Sequence, residues 1–210
     1  MKFNLWIDSL TKPIQTFKKE KNNANLFEGM MHIAIAGLIT GFLSGLKMLF
    51  ESTFLGMLGS TYGGLGSLGL FGAIGFIASI ILTPIFSVII WLIVSGILYI
   101  FAMMLGGKGS YTTQSYLYAI YLAPLNVIVG VFSLIPFVGG IIAILPMLYG
   151  LYLLTLVLKE THQYTLGKAV LTWAIPVIIL TIILFILAVI IGFALLTLFM
   201  GTTTPYMSRI

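Results

Sequence analysis

Five long apolar runs separated by short polar segments organise this chain, at about residues 30–50, 74–105, 116–135, 141–158 and 169–200. An α-helix rises about 1.5 Å per residue and a bilayer core is about 30 Å thick, so each run predicts a membrane-crossing helix. The second run is longer than one crossing needs and too short for two, so it must tilt or kink. Residues 1–29 follow another pattern. Phe3, Trp6, Ile7, Leu10, Ile14 and Phe17 recur at helical spacing and make one apolar face. Lys2, Lys12, Lys18, Lys19 and Lys21 surround it. This predicts an amphipathic helix in the headgroup plane, which anchors to anionic lipid or docks a partner protein. Pro13 lacks a backbone donor, so a break is expected near Ser9–Thr11.

Glycine and proline punctuate the spans. Gly37, Gly41 and Gly45 recur every fourth residue and form a small-residue stripe that lets a second helix approach closely. That helix belongs either to the same chain or to a second copy in a homo-oligomer. Lys47 and Glu51, one turn apart, are expected to pair at the outer end. Residues 52–73 read as an outer loop, with Gly63, Gly66, Gly69, Gly72 and Gly75 at every third position. Pro84, Pro124, Pro146 and Pro176 fall one in each of the second to fifth spans and predict kinks there. A faint echo links Tyr111–Pro124 with Tyr164–Pro176; it is read either as a duplicated helical hairpin or as coincidence in a simple apolar sequence.

The most polar interruption among the later runs is LGGKGSYTTQ at 105–114. Gly106 and Gly107 can end one helix, and Ser110, Thr112 or Thr113 can cap the next. A nucleotide loop of the Walker type needs Ser or Thr after its lysine, but Lys108 is followed by Gly109. What remains is a lipid-headgroup contact at Lys108 and Ser110.

Composition sharpens the class. The 210 residues are 60% hydrophobic and 7% charged, well below the charge of a soluble domain. The charges group in a few short segments outside the apolar runs. With the N-terminus inside, eight of the ten Lys and Arg fall on one side and only Lys47 and Arg209 on the other. That predicts a multi-pass protein of the cell membrane with a cytoplasmic N-terminus and an extracytoplasmic C-terminus, residues 201–210. The net charge of +5 serves orientation, and nucleic acid is not an expected partner. No cysteine is present, which removes thiolate chemistry and Cys-based metal sites.

Catalytic signatures are missing. No H-E-x-x-H or paired aspartate occurs, and Ser95-Gly96 lacks the glycine that would precede a nucleophile elbow. Mid-span positions carry no ionisable residue, only Asn126 and scattered Ser and Thr. Glu28, His32, Glu160 and His162 are read either as a metal-binding group at the cytoplasmic side or as solvated loop residues. No cofactor is expected, and the chain is expected not to be an enzyme.

Several segments, in order, resemble the Yip1 domain family of membrane proteins. They are the amphipathic start with Trp6, Pro13 and Phe17; GGKGSYTTQ leading to AIYLAPL at 119–125; IPFVGG at 135–140; YLLTLVLKETHQYTLGKAVL at 152–171; and Pro176. The resemblance implies five spans, a cytoplasmic N-terminus, an exposed C-terminus and a non-enzymatic role. Eukaryotic members act in vesicle traffic with Rab-type GTPases. The motif DLYGP of those members is absent, and the compact form resembles the bacterial and archaeal branch, so the GTPase partner is not carried over. The expectation is an all-α membrane bundle, with an N-terminal segment at 1–29 and a membrane domain at 30–200. It organises membrane or recruits a cytoplasmic partner. The alternative is a passive channel, carrier or lipid translocator along the proline-bearing helices.

Overall fold

The computed structural model describes residues 3–61, 68–135 and 138–201. They are almost entirely helical, with no strand among them. Two short helices, α1 (Phe3–Thr11) and α2 (Pro13–Glu20), open the chain. Pro13 stands at the first position of α2, where its missing N–H costs nothing. A 3₁₀ turn over Lys21–Asn23 leads to α3 (Leu26–Thr61). Then follow α4 (Leu68–Met104), α5 (Tyr111–Phe132), a single turn α6 (Gly139–Ile142), α7 (Ile144–His162) and α8 (Leu166–Gly201). Five helical segments are long and apolar enough to cross a membrane: 26–54, 72–104, 111–132, 139–162 and 166–198.

The outer-loop expectation is overturned. Of the outer loop predicted over 52–73, residues 52–61 continue α3 and residues 68–73 begin α4. Gly63 and Gly66 lie outside the described residues. The reason is packing: glycines between two long helices serve contact rather than flexibility. A Cβ on Gly37 would lie 2.6 Å from Pro84 Cα, one on Gly41 2.5 Å from the Ser79 carbonyl, and one on Gly45 2.7 Å from the Phe76 ring. From the other side, Gly75 faces Met48 and Gly72 faces Ser52. As the α3 number rises the α4 number falls, so the two helices run antiparallel in tight register. Ser79 Oγ also donates to the Gly41 carbonyl at 2.9 Å. Close backbones gain dispersion contact, the main attraction between helices in lipid.

The best-packed region lies where α1 and α2 meet α5 and α7. Phe17, Leu117, Ile120, Leu153, Val157 and Leu158 are fully buried together. The N-terminal pair is therefore built into the bundle. Ser9 Oγ donates to the Ile120 carbonyl at 3.0 Å, and Tyr149 donates to the Leu10 carbonyl. At the other extreme, α8 has no buried position from Val177 to Leu198. Its segment is the most apolar of the five, with mean hydropathy 3.3. Such a surface is stable only against lipid or another apolar partner.

The prolines divide. Pro84, Pro124 and Pro176 sit inside α4, α5 and α8. Pro146 falls in the first turn of α7, where no intrahelical donor is required, so it helps start a helix instead of bending one.

Candidate functional site

The loop at 105–110 is ordered by helix-end chemistry. Gly106 takes φ +83°, the left-handed conformation that glycine adopts without strain. Gly106 N–H then bonds the Met103 carbonyl and Gly107 N–H the Ala102 carbonyl, which closes the end of α4. The Leu105 carbonyl is left over, and Lys168 Nζ donates to it at 2.9 Å. A cation at a helix C-terminus also meets the favourable end of the macrodipole. Ser110 caps α5, its hydroxyl accepting from Thr113 N–H at 3.1 Å. Lys108 projects into solvent while its N–H bonds the His162 carbonyl at 3.3 Å.

The second polar loop packs directly on the first. A Cβ on Gly109 would meet the Thr161 carbonyl at 2.5 Å, and one on Gly107 would meet His162 Nδ1 at 2.6 Å. His162 is fully buried. Its Nδ1 accepts from Gly109 N–H at 3.2 Å, so the ring proton is on Nε2, which donates to Gln114 Oε1 at 2.8 Å. Gln114 Nε2 passes the chain on to the Ser95 carbonyl at 2.9 Å. One buried network thus joins α4, α5 and the end of α7. Nearby, Tyr164 shares a 2.6 Å hydrogen bond with Thr172. Burial raises its phenol above the ordinary tyrosine value, and the Thr172 hydrogen bond lowers it by less, so a neutral hydroxyl is maintained.

A second polar assembly joins the N-terminal helices to α3 and α5. His32 is 3% exposed. Trp6 Nε1–H can only donate, and it donates to His32 Nδ1 at 2.8 Å, which leaves the proton on Nε2. Tyr116 donates to Glu20 Oε2 at 3.2 Å. A cavity of about 580 Å³ opens between these groups, its walls including His32, Tyr116, Glu20, Glu28, Lys19 and Met31. Lys21 and Glu160, 3.3 Å apart, tie the N-terminal segment to the end of α7.

The two histidines therefore serve separate buried networks and are not solvated. Among the described residues no group of three or more His, Asp or Glu is placed to hold a metal ion. Lys108 and Ser110 lie in one loop, but the Ser110 hydroxyl is engaged at the start of α5. Gln114, Tyr116 and Glu20 were not singled out in the sequence. Their signal was weak: each is one polar residue whose partner lies far away along the chain. Between α5 and α7 a further groove of about 400 Å³ is mostly apolar, with Tyr118, Tyr121 and Asn126 among its walls.

Long apolar helices, a small-residue helix interface and one end crossed by buried polar networks define a polytopic helical membrane protein. The Yip1 domain model matches residues 7–190, and the chain belongs to that family. No curated protein and no solved structure matches it.

Proposed function

We propose that this Yip1-family protein is a non-catalytic membrane organiser of the cell membrane, whose basic end faces the cytoplasm, rests on anionic headgroups and recruits a cytoplasmic protein. The observation that carries the reading is how that end is built. The N-terminal helices, the 105–110 loop and the 163–165 loop are far apart in sequence yet joined by Lys21–Glu160, Lys168–Leu105 and His162–Gly109 contacts. Lys18, Lys108 and Lys159 remain exposed on these joined segments. A fixed array of cations suits recognition better than a tether would, because little order is lost on binding. Photo-crosslinkers placed at these three positions in native membranes should trap one and the same protein. Charge reversal at all three should abolish its capture. Three unrelated sets of adducts, or capture unaffected by reversal, would sink the proposal.

The groove between α5 and α7 favours a second reading, passive movement of lipid along these helices. Asn126 supplies a polar group beside an apolar wall. If this reading holds, reconstituted vesicles should show lipid scrambling that Asn126→Leu abolishes.

A further inference from the structure

The cavity around His32 differs in character from the exposed basic surface. Glu20 and Glu28 have no ion-pair partner among the described residues, whereas two other acids, Glu51 and Glu160, are paired. Among the described residues Lys19 is the one cation lining the cavity, so these lining side chains carry a formal charge of −1. An anionic headgroup is poorly matched to that balance. His32 adds an independent sign of a ligand. It is 97% buried by its 3% exposure, its Nδ1 is taken by Trp6, and its Nε2–H has no protein acceptor among the described residues. That N–H opens into the cavity, where an acceptor on a ligand can meet it.

Depth narrows the ligand further. Gly29 lies against Trp91 and Tyr116, and Glu28 is next to it in α3. From Glu28 to Lys47 the helix rises about 28 Å, close to the ~30 Å of a bilayer core. These two charges therefore bracket the first crossing, and the cavity lies at headgroup depth. Phe27 and Met31 expose apolar side chains beside it, at 64% and 44%. Acyl chains can lie along them.

We propose that this cavity binds the headgroup of a phospholipid that carries a primary ammonium group. The ammonium has three N–H donors to share between the Glu20 and Glu28 carboxylates. The phosphate takes the His32 Nε2–H and the Lys19 ammonium. A quaternary ammonium has no N–H to give, and a headgroup without a cation leaves both carboxylates unanswered. The site stands apart from the recruitment reading, since it needs no partner protein.

The test uses the full chain, purified in detergent and supplied with ethanolamine, choline or glycerol phospholipids of the same acyl chains. Bound lipid is counted by native mass spectrometry. Ethanolamine lipid should be retained over the other two by roughly tenfold, and Glu20→Gln with Glu28→Gln should erase that preference. Lys47→Gln, at the other end of the first crossing, should leave it intact. Soluble phosphoethanolamine distinguishes the source. No competition at millimolar concentration assigns an intact lipid held partly by its chains, and full competition assigns the headgroup alone. Equal retention of ethanolamine and choline lipids, preference for the anionic lipid, or persistence of the preference in the double variant would overturn the site. An unliganded thermal midpoint matching the parent shows that the double variant is folded, and His32→Gln is a second, independent probe.

Discussion

At His162 the neighbours decide which polar changes matter. Gln114 is fully buried and spans the gap between His162 Nε2–H and the Ser95 carbonyl. Gln114→Leu keeps much of the volume but strands both groups. Unsatisfied buried polar groups cost about 1–3 kcal/mol, so the thermal midpoint in detergent should fall clearly. Ser115, its chain neighbour, is just as buried, yet its Oγ bonds nothing among the described residues. Ser115→Ala should be neutral or slightly stabilising by the same measurement. A matching loss in both variants would show that the network contributes nothing beyond packing. Neither residue is distinguishable in the sequence, where they read simply as Gln-Ser near the start of a span. The histidines were misread for a related reason. Proximity to charged segments suggested solvation, but His162 is buried because Gly107 and Gly109 let two loops touch, and His32 because Trp6 and Tyr116 pack on it, which no local pattern encodes.

Helices were far more legible than their contacts. The apolar runs predicted every crossing segment to within several residues, because a bilayer imposes length and composition directly. The α3–α4 connection failed because glycine has two opposite meanings: it loosens a loop, and it lets packed helices close. In the structure the second meaning holds at Gly72 and Gly75. Gly41→Ala should therefore destabilise by about 1–3 kcal/mol, since the new methyl meets the Ser79 carbonyl across the interface. Gly192→Ala, with nothing within 4 Å, should be neutral or gain up to about 1 kcal/mol of helix propensity. Denaturant melts of the two variants compare them directly. The register has its own test. Cysteines at Met48 and Gly75, in a chain without native cysteine, should form a disulfide under mild oxidation, whereas Met48 with Ile81 should not.

For the whole molecule, these contacts set the elements at common heights. Gly29 faces Trp91 and Tyr116, and Gly130 faces Thr40 and Leu43, so α5 runs parallel to α3, and α4 runs antiparallel to both. The far end of α5 at Phe132 therefore comes level with the region of Lys47, and α5 makes a complete crossing. The bare stretch 177–198 of α8 is about 33 Å long at 1.5 Å per residue, again one bilayer core. Five crossings are an odd number and would put the two ends of the chain on opposite sides. The proposed orientation sets the lysine-rich end inside. Single cysteines at Ser110 and Thr53, both exposed, test the arrangement with a membrane-impermeant maleimide on intact cells. Thr53 lies beyond Lys47 and Glu51 on the outer continuation of α3 and should react at once. Ser110 should react only after permeabilisation, because it sits with Lys108 at the opposite end of the bundle. Immediate reaction at Ser110 with none at Thr53 would invert the orientation but keep the fold. Reaction of both from one side would mean that α4 does not cross, and the common heights drawn from the glycine contacts would have to be abandoned.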